Sequence, residues 1–167
     1  MTRSAIAWTF LVWFALLWWQ GGFMFYSAIV VHIATDVLGS AFEQGKITAR
    51  VMLWLNGLGT LFLFIMLADL LLWRWVGGRV RGQWATFAVI AVCQIALWKL
   101  REDMVDVVDL SADTIRDRKA FHEMHEWYMR LTTCQWVSSL VYMVWLIARR
   151  SPVEPPASAR RANGPSG

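Results

Sequence analysis

The side chains of this sequence best suited to hold a metal ion or a haem are its three histidines, His32, His122 and His125. Asp36 follows His32 by four residues and Glu126 follows His122 by four, a spacing that places an imidazole and a carboxylate on one face of a helix. Neutral imidazole combined with carboxylate suits zinc, copper, iron or nickel. The candidate metal ligands are therefore His32, Asp36, His122, His125 and Glu126, with a transition metal such as copper or zinc as the implied cofactor. Haem b is the alternative, since one histidine from each of two facing helices would supply both axial ligands of a single haem. A third reading needs no cofactor: histidines are stable at a membrane boundary and hydrogen-bond to nearby acids. No Glu-x-x-His occurs at these positions, so the di-iron pattern of ferritin-like bundles is not matched. No catalytic residue is assigned, because the chain has no Walker motif, nucleophile elbow or His-Glu-x-x-His.

The elements that must position these histidines are four long apolar segments. Residues 1–151 contain no proline, and the 167-residue chain is 57% hydrophobic with 12 tryptophans, too apolar for a soluble domain of this size. A helix needs about 20 apolar residues to cross a bilayer, where no water can satisfy the backbone. The segments are expected at 5–34, 47–75, 83–110 and 114–149. The first begins like a signal peptide after Arg3, but its apolar run continues through Phe23 to Val31 without a small-residue exit, which predicts a retained helix. Gln20, Gly21 and Gly22 form a soft point within it. Val76, Gly77 and Gly78 end the second helix, and Ser111 or Asp113 caps the fourth. The expected fold is an all-α integral membrane four-helix bundle over residues 1–150, with helices 1, 3 and 4 extending past the outer interface. The tail, 151–167, holds all four prolines and is expected to be disordered and cytoplasmic.

Interfacial tryptophan and tyrosine mark where each helix leaves the hydrocarbon: Trp8 and Tyr26, Trp54 and Trp73, Trp84 and Trp98, Trp127 and Trp145. Arg3, Arg74, Arg79, Arg81, Arg149 and Arg150 gather at one side, which the positive-inside rule makes cytoplasmic, so both termini are inside. The basic residues sit beside apolar runs and form no nucleic-acid patch. The partners expected are the lipid bilayer and a membrane complex or a second copy of the chain. With this topology all three histidines emerge at the outer face. Gly21 and Ala28 fall beneath His32, and Thr132 and Ser139 beneath His125, small and hydroxyl residues that predict protein-facing histidines. Glu102, Asp106, Asp109 and Asp113 form an acidic stripe on the outer part of the third helix.

Deeper in the segments, Asp69 is an ionisable group within a membrane span and Arg74 could reach it. Arg130 could contact headgroups or an acid beside the histidines. Asn56, beside Gly57 and Gly59, reads as interhelical glue at a close-packing point, where both glycines are expected to admit another helix. Cys93 and Cys134 read as buried small hydrophobes.

The segment from Gly21 to Ile33, the Asn56-Gly-Leu-Gly sequence, and Phe121-His122 at the head of the fourth helix together resemble a group of small bacterial four-helix membrane proteins. This group looks like a distant relative of the copper-resistance D membrane proteins and of a eukaryotic transmembrane protein tied to metal-drug tolerance. The resemblance implies a multi-pass protein of the bacterial cytoplasmic (inner) membrane associated with metal handling, without catalytic residues to carry over. The function expected from the sequence is a metal-binding or metal-tolerance component with its site at the outer face. The alternatives are a single-haem redox subunit and a structural subunit of a larger membrane complex.

Overall fold

A computed structural model describes residues 3–75, 81–109 and 114–148. Helix α1 (Arg3–Phe25) runs through a π-helical turn (Tyr26–Val30) into α2 (Val31–Leu38), and α3 (Ala41–Trp75), α4 (Arg81–Asp106), strand β1 (Val108–Asp109), strand β2 (Thr114–Ile115) and α5 (Arg118–Ala148) follow. Four helices, counting α1 to α2 as one, are long and apolar enough to cross a membrane. The expected disordered tail, the Val76–Gly78 stop signal and the Ser111 and Asp113 caps lie outside the described residues.

Each connection has a local cause. Gly39 ends α2 in the left-handed conformation (φ 59°), its N–H donating to the Thr35 carbonyl, the αL termination that a residue without Cβ makes readily. Ser40 Oγ then accepts from the Glu43 N–H at 3.4 Å as α3 begins. After α4 the chain departs from expectation. The third helix stops at Asp106, four residues early, and Val108 and Asp109 pair antiparallel with Ile115 and Thr114. Val105, Val107 and Val108 weaken a helix by χ1 crowding and favour an extended strand. The acidic stripe therefore ends as a helical face at Asp106, and Lys99 pairs with Asp103 (2.7 Å), which is not part of it. The fourth helix starts at Arg118 instead of Thr114, because Asp117 Oδ1 accepts from the N–H groups of Lys119 (3.0 Å) and Ala120 (2.9 Å), the geometry of an N-cap.

Along each helix most buried residues recur at alternating steps of four and three: Val12, Leu16, Trp19 and Tyr26 on α1 and its π turn, Leu55, Gly59, Phe62, Met66 and Asp69 on α3, Gln83, Thr86, Ile90, Cys93 and Leu97 on α4, and Tyr128, Thr132, Gln135, Ser139, Tyr142 and Leu146 on α5, with Gln20, Asn56, Leu70 and Gln94 buried beside them. That period is the seam of a left-handed bundle. The outward faces are also apolar, with Phe10, Trp54, Phe64, Val92, Ile95 and Val144 all more than 60% exposed, as suits helices whose surroundings are lipid. α1 packs on α3, α3 on α4, and α4 most closely on α5. Near the Asp69 end, Gly82 admits the Trp145 ring so closely that an added Cβ would lie 2.6 Å from it. Farther along α4, Gln94 continues the α4–α5 packing, with Gln135 Nε2 donating to Gln94 Oε1 at 2.7 Å; of the two cysteines expected to be buried, Cys93 is buried and Cys134 is exposed.

The two glycines of the Asn56-Gly-Leu-Gly segment differ. A Cβ on Gly59 would meet Gln94 Oε1 at 2.7 Å and Trp19 Nε1 at 3.0 Å, whereas one on Gly57 would meet nothing within 4 Å. Only Gly59 is a packing glycine; Gly57 is exposed, two residues and about 200° away around the helix. Gly59→Leu should destabilise the bundle by about 1–3 kcal/mol through overpacking, read as a lower melting temperature in detergent, while Gly57→Leu should melt as the wild type does.

Candidate functional site

The histidine end of the bundle is assembled as the topology requires: Tyr26 Oη donates to Thr48 Oγ1 at 2.8 Å, fixing the end of α1 to the start of α3. His122 Nε2 lies 3.2 Å from Glu126 Oε1, so the expected His122–Glu126 pair forms. Glu126 is shared, because its other oxygen accepts from Arg130 Nη2 at 3.0 Å, and the Arg130 guanidinium lies over the Trp127 ring at 5.1 Å. His125 stacks on Phe121 (6.2 Å, 8° between planes). His32 and Asp36 are exposed on α2. Among the described residues, no hydrogen bond, ion pair or ring contact joins either of them to His122, His125 or Glu126, and no three His, Cys, Asp or Glu residues gather as a metal ion would need.

The expectation that the histidines face protein is corrected, since His32, His122 and His125 are all exposed. For His32 the cause lies in α1. Gly21 and Ala28, the small residues beneath it, are themselves exposed, so His32 shares their face as expected but that face turns outward; the buried seam of this helix runs through Val12, Leu16, Trp19 and Tyr26. For His125, Thr132 and Ser139 are buried as expected, but a straight helix drifts about 20° per heptad, and at its end His125 has left the seam.

The interior holds the more demanding polar chemistry. Gln94 Nε2 on α4 donates to the Asn56 backbone carbonyl of α3 at 2.9 Å, and its Oε1 accepts from Gln135 Nε2 of α5 at 2.7 Å. Tyr128 Oη of α5 donates to Asn56 Oδ1 at 3.1 Å. Trp98 Nε1 donates to Thr60 Oγ1 at 3.0 Å, while Thr60 Oγ1 donates to the Asn56 carbonyl at 2.9 Å. Three helices are therefore bound together by neutral amides around Asn56, which acts as the interhelical glue expected of it. About 20 Å along α3 from Asn56, Asp69 is 3% exposed and accepts from Trp8 Nε1 at 3.1 Å and from Tyr142 Oη at 3.2 Å. Asp69 thus ties α1 to α5 through aromatic donors, a role the sequence reading had offered to Arg74.

A cleft opens beside the amide network, lined by Trp19, Gln20, Phe23, Asn56, Gln135 and Trp136, among others. Water-sized groups have about 20 Å³ in which to centre themselves there, and the whole cleft with its open mouth spans about 340 Å³. Gln20 is 7% exposed and Asn56 5%, yet both amide atoms of Gln20 and Nδ2 of Asn56 have no hydrogen-bond partner. An unpaired polar group buried at this depth costs several kcal/mol, so these three atoms call for a hydrogen-bonding partner in the cleft, an ordered water or a bound molecule. The sequence reading took Gln20 only as part of a soft point. Its signal was present: Gln20 adjoins Trp19 on the seam that Val12 and Leu16 define. Comparison with family models, with curated proteins and with solved structures found no match.

Gln94→Leu removes a donor and an acceptor together, leaving the Gln135 amide without its partner in the bundle interior. It should lower stability in detergent by about 1–3 kcal/mol. Tyr128→Phe, which removes a single interhelical hydrogen bond, should cost about 0.6 kcal/mol. Equal melting temperatures for the two variants would refute the central place given to Gln94.

Proposed function

We propose that this chain is a four-span integral membrane protein of the bacterial cytoplasmic membrane, with both termini inside, that binds a small neutral molecule within the bilayer. The observation that carries the reading is Gln20: a carboxamide more than nine-tenths buried, with neither of its polar atoms paired, in a cleft lined by all four long helices. α1 and α5, which both line the cleft, are not among the closely packed helix pairs, so the seam between them is the natural way in from lipid. The cleft lining carries no charged side chain, which favours a neutral guest. Binding is preferred to catalysis because the lining offers no nucleophile paired with a base.

A metal-tolerance role resting on His32, Asp36, His122, His125 and Glu126 draws support only from the His122–Glu126 pair, since a stable transition-metal site takes three or four ligands. Ligation of haem b would need His32 to face one of the other two histidines, and all three point outward from the bundle. The structural-subunit reading is compatible with the cleft and is separated from it by what the protein carries.

Two measurements test the proposal. In a background with Cys93 and Cys134 replaced by alanine, a cysteine at Ser111 should react with an impermeant thiol reagent added outside intact cells, and one at Gly78 should not; the reverse pattern would overturn the orientation. For the binding role, organic extraction of the protein purified in mild detergent, followed by mass spectrometry, should find a stoichiometric neutral lipophile that is missing from Gln20→Met. Identical extracts from the two proteins would sink the ligand-binding reading.

A further inference from the structure

We infer that the guest of this cleft is the carbonyl-bearing ring of a membrane-soluble quinone; the inference rests on the binding role proposed above and names its ligand. The unpartnered atoms specify the hydrogen bonds. Gln20 Nε2 and Asn56 Nδ2 are donors and Gln20 Oε1 is an acceptor, all from neutral amides. Two donors match the carbonyl oxygens of a quinone, and the Gln20 oxygen can accept from the hydroxyl of the corresponding quinol, so one carboxamide serves either form.

The walls specify the shape. Trp19, Phe23 and Trp136 line the cleft, and Trp19 is held by stacking on Phe62 with ring centroids 5.3 Å apart. Flat aromatic walls favour a flat guest. The side chains that line the cleft are all neutral; Arg101, whose Nε is buried without a hydrogen-bond partner, is not one of them, and the lining itself favours an uncharged ring over a charged head. The small present volume has a local remedy: Met52 and Phe23 are half-buried lining residues, and an unbranched methionine repacks at little cost.

Depth specifies the source. Gln20 is twelve residues, about 18 Å along the helix, from His32, and Gln135 is ten residues, about 15 Å, from His125, while Met52 and Tyr128 bring the lining up to the level of Trp54 and Trp127, so the cleft runs from the interface into the apolar span where a quinone ring with its isoprenoid tail resides. The tail would leave between α1 and α5.

The experiment uses the full chain in nanodiscs, titrated with the short-tailed benzoquinone decylubiquinone. Quenching of tryptophan fluorescence should saturate at one equivalent and the melting temperature should rise. Gln20→Met, which nearly conserves volume, should fold with an unchanged or higher melting temperature because it removes the unpaired amide, and should bind at least about tenfold more weakly. Decylbenzene, which has the ring and tail but no carbonyl oxygens, should not saturate the site. Quenching that grows linearly with quinone and is the same in Gln20→Met, as for a cleft that holds only water, would overturn the inference. If a different lipophile co-purifies and no saturable quinone binding is seen, the binding role stands and the quinone assignment falls; if neither is found, both fall.

Discussion

The rest of the bundle depends on the hydrogen bonds that Gln94 makes to α3 and α5 at once. In water such a contact would be worth little, because each amide has solvent as an alternative. Between apolar helix faces there is no such alternative, and helix association there relies on close packing and on polar contacts between helices. Gln94 fixes the rotation of α4 about its axis by pointing one side chain at both neighbours. Gly59 is required by the same arrangement, since the Gln94 oxygen occupies the place where a Cβ would stand. Trp19 Nε1 approaches Gly59 from the other side, so a single residue without a side chain lets α1, α3 and α4 meet.

The four apolar runs were legible in the sequence because length and hydropathy alone define a span, but their limits differ by four residues on each side of the hairpin after α4 and by six at the start of α3, whose polar first turns from Ala41 carry no apolar run. Which face of each helix turns inward was much harder to read. In a soluble bundle the apolar stripe marks the core, but here both faces are apolar and hydrophobic asymmetry nearly vanishes. The usable signal is inverted. On α5 the seam reads Tyr128, Thr132, Gln135, Ser139 and Tyr142, more polar than the exposed Val137, Val141 and Val144, and only the four-three spacing of those polar residues discloses the buried face. Asn56 was read correctly from its neighbours, whereas Gly57 and Gly59 were read alike although their places differ. The His122–Glu126 pair followed from local helix geometry. The surroundings of His32 did not, since the small residues Gly21 and Ala28 that share its face are exposed, and small side chains do not by themselves mark the face that packs.

The two ends of the bundle solve different electrostatic problems. At the histidine end the charges remain exposed and pair along their own helices, as Lys46 does with Glu43, Lys99 with Asp103 and Arg130 with Glu126. Such exposed pairs are screened by solvent and orient side chains more than they stabilise the fold. At the other end Asp69 is drawn inside and held by an indole N–H and a phenol from two other helices. Its partners come from α1 and α5, the same two helices that stand apart at the cleft. The Asp69 contacts therefore tie α1 to α5 at one level, while the cleft lies at the other, in the histidine half of the bundle.

Between these two polar centres the interior is mostly apolar. Leu16, Phe62, Met66 and Ile90 are at most 1% exposed, and Phe62 and Met66 occupy the seam of α3 between Asn56 and Asp69. Ser139 is a hydroxyl at this level, but it donates to the Trp136 carbonyl of its own helix at 2.6 Å and so offers its proton to no neighbouring helix. An apolar layer of this kind separates the amide centre around Asn56 from the carboxylate centre at Asp69 in the described bundle, so the two polar centres act on the packing of the helices independently of one another.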